Sequence, residues 1–202
     1  MRKIYLLVIL CLLGFGGYAQ TAASYSFSRS AGTFNSIIGG SGTVALTGTT
    51  LNTGDSAITN IPIGFTFFYC GTNHTVLSAN ANGYLSLAND SLSDDPDYKN
   101  LSSSLSSISN GAGLLMAFWK DLYGVAKTAY YQTSGTAGSR VFTFEYADWS
   151  RCCSSGSASM NFQIKLYEGT NIVEFVYGSG LGSLPTTATI GICNGLADYQ
   201  TL

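Results

Sequence analysis

Histidine, proline and charge are scarce in this 202-residue chain, which has one His, three Pro and only 10% charged residues. A single histidine, at position 74, leaves multi-imidazole metal centres and most Ser–His or Cys–His nucleophile pairs without raw material. No Gly-x-Ser-x-Gly elbow occurs either. Nine Lys and Arg stand against eleven Asp and Glu, so there is no basic field to neutralise phosphates, and nucleic acid is excluded as a partner. Proline is too rare, and the 24 glycines too aperiodic, for collagen. What is present in quantity is apolar: 46% hydrophobic and 13% aromatic residues, which excludes intrinsic disorder and suits one globular domain.

The longest apolar run, Ile4 to Phe15, is too short for a spanning helix, which needs roughly twenty residues. With Arg2 and Lys3 before it and Gly17-Tyr18-Ala19 after it, the run reads as a secretory signal peptide over 1–19, cleaved after Ala19. The rival reading, lipid attachment at Cys11, wants a small residue before the cysteine, and Leu10 stands there. Cleavage removes two basic residues and leaves seven against eleven acids, a formal charge of about −4. The mature domain, residues 20–202, carries no segment for membrane insertion.

Export also removes Cys11 and leaves Cys70, Cys152, Cys153 and Cys193 as disulfide candidates. Four cysteines allow two bridges in three connectivities. The adjacent Cys152 and Cys153 either bridge each other or each reach one of the distant pair. Zinc is the weaker reading, because no Cys-x-x-Cys spacing exists and His74 stands alone. As structural staples, the four would leave no free thiol in the mature chain.

Period-two alternation dominates the mature sequence, in runs separated by Gly, Ser, Thr and Asn clusters. Ile63, Phe65, Phe67 and Tyr69 share one strand face; Phe142, Phe144 and Tyr146 share another, as do Phe162, Ile164 and Leu166. Further strands are expected at 25–28, 34–38, 43–47, 75–78, 84–87, 114–119, 128–133, 172–177 and 188–193. About a dozen short strands without a convincing helix predict an all-β, antiparallel, jelly-roll-like β-sandwich. One long polar interruption, Ala88 to Gly113, holds Leu101, Leu105 and Ile108 at a spacing that suits one or two helical turns.

Beyond these patterns lies a run of motifs. Leu114-Leu115-Met116-Ala117-Phe118-Trp119-Lys120-Asp121 is followed by Ala129-Tyr130-Tyr131 and by Arg140-Val141-Phe142-Thr143-Phe144-Glu145-Tyr146. Asn161-Phe162-Gln163-Ile164-Lys165-Leu166-Tyr167-Glu168 and Ile172-Val173-Glu174-Phe175-Val176-Tyr177-Gly178 come next. Upstream stand Ile63-Gly64-Phe65-Thr66-Phe67 and Asn80-Ala81-Asn82-Gly83-Tyr84-Leu85. In this order they resemble the extracellular module first named in nidogen, and the N-terminal β-rich regions of surface proteins exported by type IX secretion in gram-negative bacteria. The resemblance implies a secreted or cell-surface, non-catalytic module in an adhesion or matrix-facing protein. It also implies the N-terminal part of a longer chain, since those bacterial proteins end in a sorting domain. The nidogen module usually has two aspartates after its Phe-Trp, and only Asp121 occupies such a place here.

Enzyme chemistry finds little support in the residues. His74, in the turn-like Cys70-Gly71-Thr72-Asn73-His74, reads as a solvated loop residue. Paired carboxylates for glycoside hydrolysis would come from Asp121, Glu145, Asp148, Glu168 and Glu174. Alternation places Glu145 and Glu174 on exposed sheet faces. No cofactor is expected, except that Asn89, Asp90, Asp94, Asp95 and Asp97 gather hard oxygens suited to calcium in one loop, without EF-hand spacing. Sugar or protein recognition is the stronger reading. Tyr130, Tyr131, Tyr146, Trp149, Tyr167 and Tyr177 could stack on pyranose rings or a protein surface, and of the adjacent Tyr130 and Tyr131 one must face outward. Trp119 reads as core. Asp55-Ser56-Ala57, Asp90-Ser91-Leu92 and three Asn sequons mark exposed loops. The expectation is a non-catalytic module binding an extracellular glycan or protein, with a carbohydrate-binding accessory domain of a secreted enzyme as the alternative.

Overall fold

The computed structural model describes residues 20–46, 51, 57–89, 113–152, 159–178, 188–195 and 197–202, with the backbone alone at 125–128. Among the described residues, eleven strands form two antiparallel sheets packed as a sandwich. β1 (Val44–Ala45), β6 (Leu122–Ser134), β7 (Val141–Arg151), β8 (Met160–Tyr167) and β9 (Val173–Tyr177) lie side by side in that order. The second sheet holds β2 (Ala57–Tyr69), β3 (Thr72–Asn80), β4 (Tyr84–Ser86), β5 (Leu114–Trp119), β10 (Thr189–Gly195) and β11 (Asp198–Thr201) in the order β11-β10-β5-β4-β3-β2. Strands β2 to β5, and likewise β6 to β9, pair antiparallel in chain order. The chain crosses between sheets from β1 to β2, β5 to β6 and β9 to β10. Among the described residues no helix is long and apolar enough to cross a membrane.

The alternation that predicts strands also builds the core. In β2 the buried Ile61, Ile63, Phe65, Phe67 and Tyr69 interleave with exposed Asn60, Pro62, Gly64, Thr66 and Phe68. From the facing sheet, Phe142, Phe144, Tyr146, Phe162, Ile164 and Leu166 fill the same cluster, and the Tyr146 ring stacks 4.5 Å from that of Phe162. Each large side chain so buried contributes ~1.5–3 kcal/mol relative to exposure. β5 is buried on both faces: Leu115, Ala117 and Phe118 join the main core, whereas Leu114, Met116 and Trp119 form a second cluster with Tyr84 and Cys193. Alternation cannot place Phe118 and Trp119 this way. An extra residue on β5, between the pairs Met116–Gly191 and Trp119–Thr189, inverts the faces.

The Asn-x-Asn-Gly stretch is a structural knot. Asn80 accepts the Asn82 N–H through its side chain, Asn82 likewise accepts that of Leu122, and the carbonyls of Asn82 and Gly83 take the N–H groups of Lys120 and Phe118. Beneath it the Tyr146 hydroxyl lies 2.9 and 3.0 Å from the carbonyls of Asn80 and Tyr84. Burial pushes this phenol far above its ordinary range, so it stays a neutral donor.

Several expectations change. Residues 25–28 and 34–38 are irregular rather than strands, and β11 is an additional strand. The two-staple expectation fails for Cys70 and Cys193, which are both free. Cys70 sits in the β2–β3 turn at φ 46°, and the Cys193 thiol bonds instead to the Gly195 carbonyl. Burial pushes both thiols up to about 11. Cys152 is disulfide-bonded, and Cys153 lies outside the described residues. So do the signal segment 1–19 with Cys11, the calcium-candidate aspartates Asp90, Asp94, Asp95 and Asp97, and Leu101, Leu105 and Ile108.

Candidate functional site

Strand pairing lays out the outer face of the five-stranded sheet in rows. Tyr130, Glu145, Gln163 and Val176 stand side by side across β6 to β9, and the next row is Gln132, Thr143, Lys165 and Glu174. Tyr167 projects beside them. These residue types make a face of hydroxyls, amides and single charges of both signs, which hydrogen-bonds rather than repels.

Part of this face is covered by residues 35–45, which cross it as a strap. Both oxygens of Glu145 are occupied: the Ser36 hydroxyl donates to Oε1 at 2.7 Å, and the Ile37 N–H and the Gln163 amide donate to Oε2 at 2.8 Å each. Gln163 Nε2 also donates to the Asn35 carbonyl at 2.8 Å. Farther along, Thr43 closes the strap on the Ile37 carbonyl, Gln132 donates to the Ser41 carbonyl, and β1 pairs with β6. Glu145 is therefore 1% exposed and Gln163 fully buried, which corrects the expectation of an exposed Glu145. Three donors replace the water a buried carboxylate loses. The Gln163 Oε1 remains buried without a partner. Nothing in the sequence singles out this pair: a Glu and a Gln at outward strand positions look like ordinary solvent-facing residues, and the strap lies more than a hundred residues away.

The aromatics divide in two. Tyr130 faces outward beside Glu145, whereas Tyr131 packs toward the core with its ring 6.2 Å from Phe142, the opposition that alternation requires. Tyr167 is half-buried on the outer face, and its hydroxyl donates to Glu174 at 2.5 Å. Burial, then the bond to this acid, pushes its phenol up to about 12, so it stays protonated. Tyr146 and Trp149 are fully buried and cannot stack on a ligand, a correction to their place among the candidates. Trp149 should face outward by alternation, but a register shift after Tyr146, with Asp148 at φ 56°, turns it into the core. Tyr177 also points inward, donating to the Ala117 carbonyl at 2.6 Å.

Glu168, Asp148 and the histidine are engaged structurally. Glu168 joins the β8–β9 turn to the β6–β7 turn: the Arg140 guanidinium bonds both its oxygens, and the N–H groups of Arg140 and Gly138 donate to Oε2. These bonds, the guanidinium first, hold its carboxyl at about 2. A carboxyl depressed below its ordinary 4.5 adds stability that is present above that value and lost as pH falls toward about 2. Acid unfolding of the wild type between those limits should therefore be steeper than that of Arg140→Ala, and parallel curves would contradict the assignment. Asp148 accepts the Ser159 hydroxyl, and the Asp121 carbonyl accepts the Cys152 N–H. His74 is not a solvated loop residue: it lies on β3, half-buried, with Nδ1 2.8 Å from the Leu87 carbonyl, and burial lowers its pKa.

Against known proteins, the family model described as NIDO related matches residues 24–202. No curated protein and no solved structure matches the chain.

Proposed function

The chain belongs to the NIDO-related family, and from that premise we propose that it serves as a secreted or cell-surface, non-catalytic binding or adhesion module. Its recognition surface is the outer face of the five-stranded sheet. The observation that carries this reading is the composition of the face beside the strap: outward Tyr130 and Tyr167 stand near Lys165 and Glu174, so ring surface and charged groups of both signs occur together. The structural engagement of Glu145, Glu168 and Asp148 supports a non-catalytic role. The same tyrosines favour a second reading, a carbohydrate-binding accessory domain of a larger secreted enzyme. Export in a gram-negative bacterium, by the type IX route, belongs to this proposal, as do a glycan or protein partner and calcium in the acidic loop.

The test is retention of the mature chain, residues 20–202, on glycan and matrix-protein arrays beside a Tyr130→Ala/Tyr167→Ala variant. Selective retention by wild type that falls at least tenfold in the variant is expected. Retention unchanged by the double substitution, or turnover of an arrayed polysaccharide, would overturn the reading.

A further inference from the structure

The two outermost long strands have unlike free edges. Along β2, side chains occupy the backbone groups: Arg140 donates to the Gly64 carbonyl at 2.6 Å and Thr133 to that of Ile63 at 2.7 Å, while the N–H groups of Phe68 and Asn60 donate to Asn171 and Asn89. Pro62 and positive φ at Asn60 and Gly64 break this edge further. Such features keep a sheet edge from pairing.

β9 has none of them. Its sequence, Val173-Glu174-Phe175-Val176-Tyr177, is β-branched and aromatic, without proline or glycine. Two bonds fix the phase of its ladder with β8: Tyr167 N–H to the Ile172 carbonyl, and Gly178 N–H to the Asn161 carbonyl. Counting from these, Glu174 and Val176 exchange bonds with Lys165 and Gln163, so the N–H and C=O groups of Val173, Phe175 and Tyr177 point away from β8. Among the described residues nothing bonds to these six groups. The side chains of the same three residues are half-buried against the core.

We propose that β9 pairs with β9 of a second copy of this chain, antiparallel, about a two-fold axis at Phe175. In this register Phe175 faces its counterpart and Val173 faces Tyr177, so all six outward groups of each strand are bonded and the two five-stranded sheets become one continuous sheet. Charge selects the same register. Glu174 lies opposite Val176 of the second copy, and the two Glu174 carboxylates are only diagonal neighbours, about 7–8 Å apart. An axis at Glu174 would set them directly opposite each other. The inference is independent of which ligand the outer face takes.

The experiment is sedimentation equilibrium of residues 20–202 at concentrations up to about 100 µM, where association in the micromolar range is visible. Wild type should approach twice the monomer mass. Val176→Glu puts a carboxylate opposite Glu174 and should leave a monomer, whereas Val176→Lys puts an ammonium there and should tighten dimerisation roughly tenfold. Circular dichroism checks that each variant folds, and if the Glu variant does not, the Lys variant decides. A wild type that stays monomeric overturns the proposal, even if β9 then takes an added foreign peptide. So does dimerisation that is unchanged in the folded Val176→Lys variant.

Discussion

Replacing the buried Gly83 with alanine should lower the midpoint of thermal unfolding by roughly 10 °C. Gly83 has φ 83°, and a Cβ there would lie 2.2 Å from the Phe118 carbonyl oxygen. Neither side can yield cheaply. Phe118 donates its own N–H to the Gly83 carbonyl and buries its ring in the core, and Lys120 donates to the Asn82 carbonyl next door. The substitution thus combines a left-handed backbone penalty of ~1 kcal/mol with the loss of turn bonds, about 3–5 kcal/mol in all. Gly42 supplies the control: its φ is 79°, but a Cβ there meets nothing within 4 Å. Gly42→Ala should therefore cost only the backbone penalty, ~1 kcal/mol. Equal effects at the two positions would show that the knot around Asn80 to Gly83 is not as tight as described.

Glu145→Ala should be the second most damaging change, and it should act on the strap. Removing the carboxylate strands the Ser36 hydroxyl, the Ile37 N–H and the Gln163 amide without their acceptor. Each unsatisfied donor costs about 1–3 kcal/mol if it stays buried, so the cheaper outcome is for the strap to lift and let water in. The expected net loss is about 2–4 kcal/mol, with hydrogen exchange at the Ile37 amide accelerated at least tenfold. Glu145→Gln keeps one acceptor oxygen and should fall between the two. If Ile37 exchanges at the wild-type rate in the alanine variant, the carboxylate does not hold the strap.

How far the sequence reveals this architecture depends on where the hydrogen bonds go. β5 and β8 are legible to the residue in extent, β8 because its apolar residues alternate along the core face and β5 because it is one unbroken apolar run, with partners supplied by neighbouring strands. The segment 34–38 alternates too, yet its bonds end on Glu145 and Gln163 side chains, so it crosses a sheet instead of joining one. Periodicity reads the faces of a strand only until a bulge. Trp149 and Trp119 both lie beyond register shifts, at Asp148 and after Met116, and each faces opposite to its count. Tyr146 is different: its alternation with Phe142 and Phe144 already assigns it to the core, and its hydroxyl finds carbonyls there. Of the candidate site, Tyr130 and Tyr167 are legible as outward tyrosines, whereas the Glu145–Gln163 pair is defined by strand register and by a distant segment that no local pattern connects to it.

The most direct measurement of the central claim is a hydrogen-exchange footprint of residues 20–202 with and without whichever arrayed glycan or matrix protein retains them. Recognition by the outer face predicts added protection in peptides covering Tyr130 to Ser134 and Asn161 to Val176, with the strap following. Protection confined to β2, β3, β10 or β11, in the other sheet, would contradict it.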